Sequence, residues 1–143
     1  ARLTFRPRAA MREYLELHHE VDIALDTFPY TGGTTTMFAL WMGVPVLTLA
    51  GQTMQQTQAA ASLAMLGLAD WVTTSADEFT RRACAAAADL EALARLRGSL
   101  RATAQQQFAG TLDETARQFD AALRGMWRRW CAGLKPESFV VQA

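Results

Sequence analysis

Apolar and polar positions along the chain alternate between short buried runs and longer helical stripes. Leu3 to Arg6 reads as a strand that Pro7 ends. Ala9 to Glu20 carries Met11, Tyr14, Leu15 and His18 at helical spacing, which predicts a helix. Val21, Ile23, Ala24 and Leu25 form an apolar run short enough for a central strand. The Tyr30-Thr31-Gly32-Gly33 turn breaks it, and Thr34-Thr35-Thr36 opens a short helix through Trp41. Gly43 stops that helix, and Val46 to Leu49 is the next strand. Met54 to Leu66 is an alanine-rich helix closed by Gly67, and a short strand follows around Trp71-Val72.

The second half is almost wholly helical. Ser75 and Glu78 have the spacing of a capping box and start a helix that runs to about Asp89. Leu90 to Phe108 continues helical. Thr111 and Glu114 form a second capping box. The final helix carries Phe119, Leu123, Met126, Trp127 and Trp130 as an apolar stripe. Gly133 and Pro136 end it, and Ser138 to Ala143 is expected to be a loose tail. Strand-helix alternation in the first half implies a parallel sheet with right-handed crossovers, so the fold class is α/β with about four strands and a helical C-terminal extension.

Composition narrows the function. The chain has 143 residues, half of them hydrophobic, with 14 basic and 14 acidic side chains. That is enough for one domain with a core. A neutral balance argues against a nucleic-acid partner or an anionic membrane surface, which select for clustered Lys and Arg. No apolar run approaches the ~18–20 residues that span a bilayer. Cys84 and Cys131 lack metal-ligand spacing and are expected to be buried free thiols in a reducing cytoplasm.

The chemistry concentrates between Asp22 and Gly51. A glycine turn feeding a threonine-rich helix start can hold an anion through free backbone N–H groups, neighbouring hydroxyls and the helix dipole. The absent Cβ atoms at Gly32 and Gly33 allow close approach to the backbone. The same residues also fit an ordinary turn capped by Thr34. Elsewhere, His18 and His19 are expected at the surface or in a cap. Asp22 is expected to enter a strand, and Asp26 to tie down the following turn by accepting backbone N–H bonds. Trp41 and Trp71 should pack on the sheet, Trp127 and Trp130 along the last helix, and Arg128 and Arg129 should form a solvated face.

From Asp22 to Leu49 the chain resembles the pattern D-[IV]-x-L-D-x-x-P-Y-x-G-x-T-T-x-x-x-A-L-W-x-G-V-P-V-[VL]-T-L. This is the C-terminal catalytic region of bacterial O-GlcNAc transferase-like, SPINDLY-type glycosyltransferases, which usually follow a tetratricopeptide repeat array. Met126 to Gly133 is similar to the end of the same family's last long helix. The resemblance implies part of the Rossmann-like C-terminal lobe of a GT-B enzyme, residues 1–133, with 134–143 a tail. It implies a piece of a longer protein that starts within that lobe. It also implies a UDP-sugar donor, UDP-GlcNAc, whose sugar is transferred to Ser or Thr of an acceptor protein without a metal or other cofactor.

The resemblance places the diphosphate on Gly32, Gly33, Thr34, Thr35 and Thr36, and backbone contacts to the base at Ala9. Phe38 stands where family members carry an Asp or Glu that accepts from the ribose hydroxyls. Its ring marks either an altered ribose contact or a core aromatic. Met11, Tyr14, Gly33 and Thr57 stand where Lys, His, His and Arg are frequent in the family. The lysine and the acid/base groups of the family fall outside this chain, so no catalytic residue is assigned within it. The implied partners are the upstream lobe and repeat array of the same protein and the acceptor protein; the apolar stripe of the last helix separately predicts either self-association, as a homo-oligomer, or dependence on the upstream segment. The rival reading is a non-catalytic interaction module built on the same lobe.

Overall fold

The computed structural model describes residues 2–109 and 112–141. It divides into two compact units, residues 1–105 and 106–143.

The first unit holds a parallel sheet of three strands, β1 (Ala24–Leu25), β2 (Val46–Leu49) and β3 (Val72–Thr73), in the order β1-β2-β3. Ala24 pairs with Val46 and Thr48 with Val72. The expected fourth strand, Leu3 to Arg6, does not form. Leu3 and Phe5 are exposed, and no neighbour supplies the backbone partners that an isolated strand lacks. Arg6 is tied down instead by an ion pair with Glu20 at 2.7 Å.

The strand expected over Val21 to Leu25 is shortened to its last two residues. The helix expected over Ala9 to Glu20 splits into α1 (Met11–Glu16) and a 3₁₀ turn (Leu17–Glu20). The α2 helix (Thr34–Trp41) follows the β1 turn. It ends at Gly43, whose φ of +78° suits a residue without Cβ, and a methyl group there would also lie 3.2 Å from the Arg97 carbonyl. Next come α3 (Met54–Met65), a 3₁₀ turn (Ala69–Trp71) that leads into β3, α4 (Ala76–Ala88) and α5 (Leu90–Ala109).

The core of this unit lies between sheet and helices. Val44, Val46 and Leu47 from the β2 region meet Leu40 of α2, Leu63 of α3, and Leu93 and Leu100 of α5 as the buried apolar set. At about 25 cal/mol per Å² of apolar area, these side chains supply most of what holds the sheet to its helices. Trp41 is half-buried beneath the guanidinium of Arg101, 6.0 Å from its ring centre. Asp22, at the approach to β1, is ion-paired with Arg97.

The Ser75 cap forms as the spacing predicts: its hydroxyl accepts from the Glu78 N–H at 3.2 Å. The Glu78 carboxylate reaches one residue further back than expected, to the Thr74 N–H at 2.9 Å. The Thr111 half of the second capping box lies outside the described residues. Glu114 is engaged by Arg117 and Gln118.

The second unit contains α6 (Leu112–Cys131) and the segment after it. Trp127 and Trp130 do not pack along α6 as expected. They are 65% and 76% exposed, and Phe119, Leu123 and Met126 on the same stripe are also exposed. Arg129 is not part of a solvated face. It pairs with Glu137 and donates to the Lys135 carbonyl at 2.9 Å. The Phe139 ring lies over Gly125, where a Cβ would come within 2.9 Å of it, so the segment up to Phe139 returns along α6 instead of trailing loosely. Cys84 and Cys131 are free, and both are exposed, not buried, since the described residues of α4 and α6 include no buried ones.

Candidate functional site

The site is built from the β1 turn. Asp26 follows β1 directly and organises the loop. Its Oδ1 accepts from the Gly32 N–H at 2.8 Å and from the Thr27 N–H at 3.0 Å. Its Oδ2 accepts from the Thr48 hydroxyl of β2 at 2.7 Å. The tying role expected for Asp26 is therefore present, with a cross-strand bond to Thr48 that the sequence did not announce. Thr73 of β3 extends the line by donating its hydroxyl to the Thr48 carbonyl at 2.9 Å.

Thr31 anchors the other end of the loop. It is fully buried, and both its N–H and its hydroxyl donate to the Gln55 carbonyl, at 3.1 and 2.8 Å. The Phe28–Pro29 peptide within the loop is cis.

Gly32 is required by space. A Cβ there would lie 2.5 Å from Thr36 Oγ1, 2.8 Å from Thr35 Oγ1 and 3.1 Å from Asp26 Oδ1. The first two distances are shorter than real Cβ contacts, so a side chain at Gly32 would force the turn to shift. A Cβ on Gly33 would lie 2.8 Å from the Gln58 amide oxygen of α3, the end of a flexible side chain that can move away.

The start of α2 is left open. Its N-cap is Gly33, not Thr34, and no side chain caps it. The first bond back into the turn runs from the Met37 N–H to the Gly33 carbonyl at 3.1 Å. The amides of Thr34, Thr35 and Thr36 thus lack an acceptor within the helix, as the first turn of any helix must. Thr34 and Thr35 are exposed. Thr36 is 3% exposed. Three free amides, three hydroxyls and the positive end of the helix dipole form a surface suited to an anion. It lies at the carboxyl end of the sheet, where open parallel sheets take their ligands.

A cavity of about 190 Å³ opens beside this helix start. Tyr14 and His18 line it on one side, Thr35, Thr36 and Ala39 of α2 on another, and Asp26 and Thr27 on its floor. Phe38, one turn after Thr34, is half-buried and sets its ring edge-to-face with Tyr14, 6.1 Å between centres. Tyr14 in turn meets the His18 ring at 5.0 Å. Ala9, which precedes the N-cap of α1, is half-buried and does not line this cavity. Met11 is exposed, and the Thr57 hydroxyl bonds back to the Thr53 and Met54 carbonyls of its own helix.

A larger cavity lies elsewhere. About 450 Å³ in volume, it sits at the beginning of β3 against α4, with Asp70, Arg81 and Arg82 in its wall. Arg82 is already engaged there by the Asp70 carbonyl at 2.8 Å and carboxylate at 3.4 Å. It faces the amino end of the sheet, away from the open amides. Among the described residues, no three His, Cys, Asp or Glu side chains converge as a metal site would require. No helix among them is long and apolar enough to cross a membrane.

Residues 1–115 match the description of glycosyl transferase family 41. The chain belongs to that family. A probable UDP-N-acetylglucosamine–peptide N-acetylglucosaminyltransferase SPINDLY of Oryza sativa subsp. japonica is 38% identical over 124 residues, which is 87% of this chain and 13% of the rice protein. The protein of the same description from Arabidopsis thaliana is 35% identical over the same length. A solved structure of a mutant Thermobaculum terrenum O-GlcNAc transferase superposes with a TM-score of 0.76 at 36% identity, covering 92% of this chain and 25% of that one. The family 41 chain described here therefore spans about an eighth of the rice relative and a quarter of the bacterial structure. It is an O-GlcNAc transferase-like glycosyltransferase region with an α/β fold.

Proposed function

We propose that this chain is the donor-binding part of a protein O-linked N-acetylglucosaminyltransferase-like enzyme that uses a UDP-sugar. One observation carries the reading: the uncapped start of α2, with three amides free and the Thr34 and Thr35 hydroxyls exposed beside them. A diphosphate laid on Gly32 to Thr36 would receive charge-assisted hydrogen bonds while its negative charge faces the helix dipole. The same contacts would stabilise the charge that develops on the leaving diphosphate during transfer. The plant relatives are named for a donor, UDP-N-acetylglucosamine, and an acceptor, a peptide, and this reading carries both over to the present chain.

The catalytic lysine and acid/base groups belong to other parts of the full-length protein. The isolated chain is accordingly inactive in this reading, and it works with an upstream lobe and a repeat array in a reducing cytoplasm. No metal takes part in donor binding, so a chelator should leave the affinity for UDP unchanged.

The test is calorimetry of the full-length protein with UDP. Replacing Thr34 and Thr35 by Val removes two hydroxyl donors, each worth about 1.5–3 kcal/mol to a charged acceptor. The affinity should fall at least tenfold, and an unchanged affinity would remove the cradle. A non-catalytic scaffold remains the second reading, favoured by the Phe38 ring, which rests against Tyr14 and offers no acceptor to a sugar hydroxyl. Wild-type protein that binds no UDP would decide for it.

A further inference from the structure

The apolar residues of α6 are spaced to meet another helix. Leu112, Ala116, Phe119, Leu123, Met126 and Trp130 follow one another at alternating steps of four and three. That is a repeat of 3.5 residues, the seam of a helix pair, and it is narrower than the face a helix turns to a globular core. All six residues are exposed, so the seam is open along its whole length. Trp127, also exposed, widens it on one flank. The returning segment keeps to the other flank, where Phe139 lies over Gly125 and Glu137 pairs with Arg129. Between that segment and the carboxyl end of the seam is a cavity of about 250 Å³, whose walls include Met126, Trp130, Leu134 and Phe139.

Charge decides which helix fits and in which direction. The first half of α6 carries Asp113, Glu114 and Asp120 against Arg117 alone. The second half carries Arg124, Arg128 and Arg129 and no acid. A parallel copy would bring acid beside acid and base beside base. An antiparallel copy sets each acidic half beside a basic one and opposes the two helix dipoles. The helix is thus complementary to itself, as a two-fold interface requires. Side-chain sizes agree with this. Turned end for end about Ala121, the seam sets Phe119 opposite the partner's Leu123 and the small Ala116 opposite the partner's Met126. Leu112 comes to the partner's Trp130, at the end of the helix where the cavity gives it room. The Asp113 carboxylate comes beside the partner's Trp127, whose indole N–H can only donate.

We propose that α6 is a homodimerisation helix, pairing antiparallel with α6 of a second copy of this chain through the Leu112 to Trp130 seam. Asp120 lies next to the two-fold axis on the open flank, so the two copies of it face each other, each held by its own Arg124. The free Cys131 residues lie at opposite ends of the pair. The pairing is independent of the donor reading.

The experiment is disulfide mapping on the full-length protein carrying Asp120→Cys, with normal and ¹⁵N-labelled copies mixed and mildly oxidised. Asp120 makes only an exposed pair with Arg124, so its loss costs the fold little. A 120–120 link joining a labelled to an unlabelled copy is the expected product, with no link from Cys131 to the partner's Cys131. Adding Phe119→Glu and Leu123→Glu should abolish the 120–120 link. Both side chains are exposed, and unchanged melting curves would show that the variant is still folded. A link that survives the two glutamates shows contact without the seam and overturns the proposal. A Cys131–Cys131 link in place of the 120–120 link means a parallel pair and overturns it too. So does the absence of any link between copies, which is the result if another part of the same protein covers the seam.

Discussion

An alanine at position 32 would set its methyl carbon 2.5 Å from Thr36 Oγ1 and 2.8 Å from Thr35 Oγ1. Neither threonine side chain is long enough to swing clear, so the turn itself must move. Gly32→Ala should therefore cost about 1–3 kcal/mol, read as a drop of roughly 4–10 °C in melting temperature. Phe38 makes the opposite case, of a side chain that is wanted for its bulk. Its half-buried ring rests on Tyr14, so Phe38→Glu would set a carboxylate against aromatic surface. The variant should melt several degrees lower. If it also binds UDP more tightly, the position is a ribose contact as well as a packing one, and titration of the same sample reads that out. The glycines, the threonines and the Asp26 turn were all legible as residues, because each depends on bonds within a dozen positions. The Thr48 and Thr73 hydroxyls were not legible. Their partners lie 22 and 25 residues away, and a threonine inside an apolar strand looks like any β-branched residue.

Helices with long periodic stripes were readable from the sequence, and α2 to α5 stand where the pattern puts them. The strands were harder. Leu3 to Arg6 has the alternation of a strand but no neighbour, and β1 keeps only two of the residues expected for it. Pairing decides a strand's length, and pairing is not written in the segment itself. The α6 helix shows a different gap: its apolar stripe was evident, but the segment returning over it was not. Gly125→Ala should strengthen the helix by removing a glycine from its interior and at the same time push Phe139 aside. Limited proteolysis should then cut between Leu134 and Val141 faster while helical ellipticity rises. Acid should act on the same helix. Arg117 and then Gln118 hold the Glu114 carboxyl below the usual glutamate range by hydrogen bonding its charged form. That contribution is present above the unfolded glutamate pKa and is lost as pH falls through the lower folded value. Ellipticity followed from neutral pH to pH 2 should show a loss whose acid end disappears in Glu114→Gln.

For the whole molecule, the exposed stripe of α6 sets the expectation for behaviour in solution. Phe119, Leu123, Met126, Trp127 and Trp130 together present an apolar surface of the kind that marks an interface. Light scattering of the isolated chain should show mass rising with concentration, and replacing Trp127 and Trp130 by Gln should suppress it. A monomer at every concentration would show that this surface is tolerated in water. The line of side-chain bonds from Asp26 through Thr48 to Thr73 bears on a different property. It runs across the three strands at right angles to the backbone, like a tie rod under a floor. The loop that would grip a ligand is thereby braced against the far edge of the sheet, which no ligand at α2 would touch. Anything that stiffens the loop should be felt there as slower amide exchange at Ala50, whose N–H rests on the Thr73 carbonyl at 2.9 Å. Thr73→Val, which removes the last link and leaves the strand apolar and intact, should make exchange at Gly32 faster from the opposite side of the sheet.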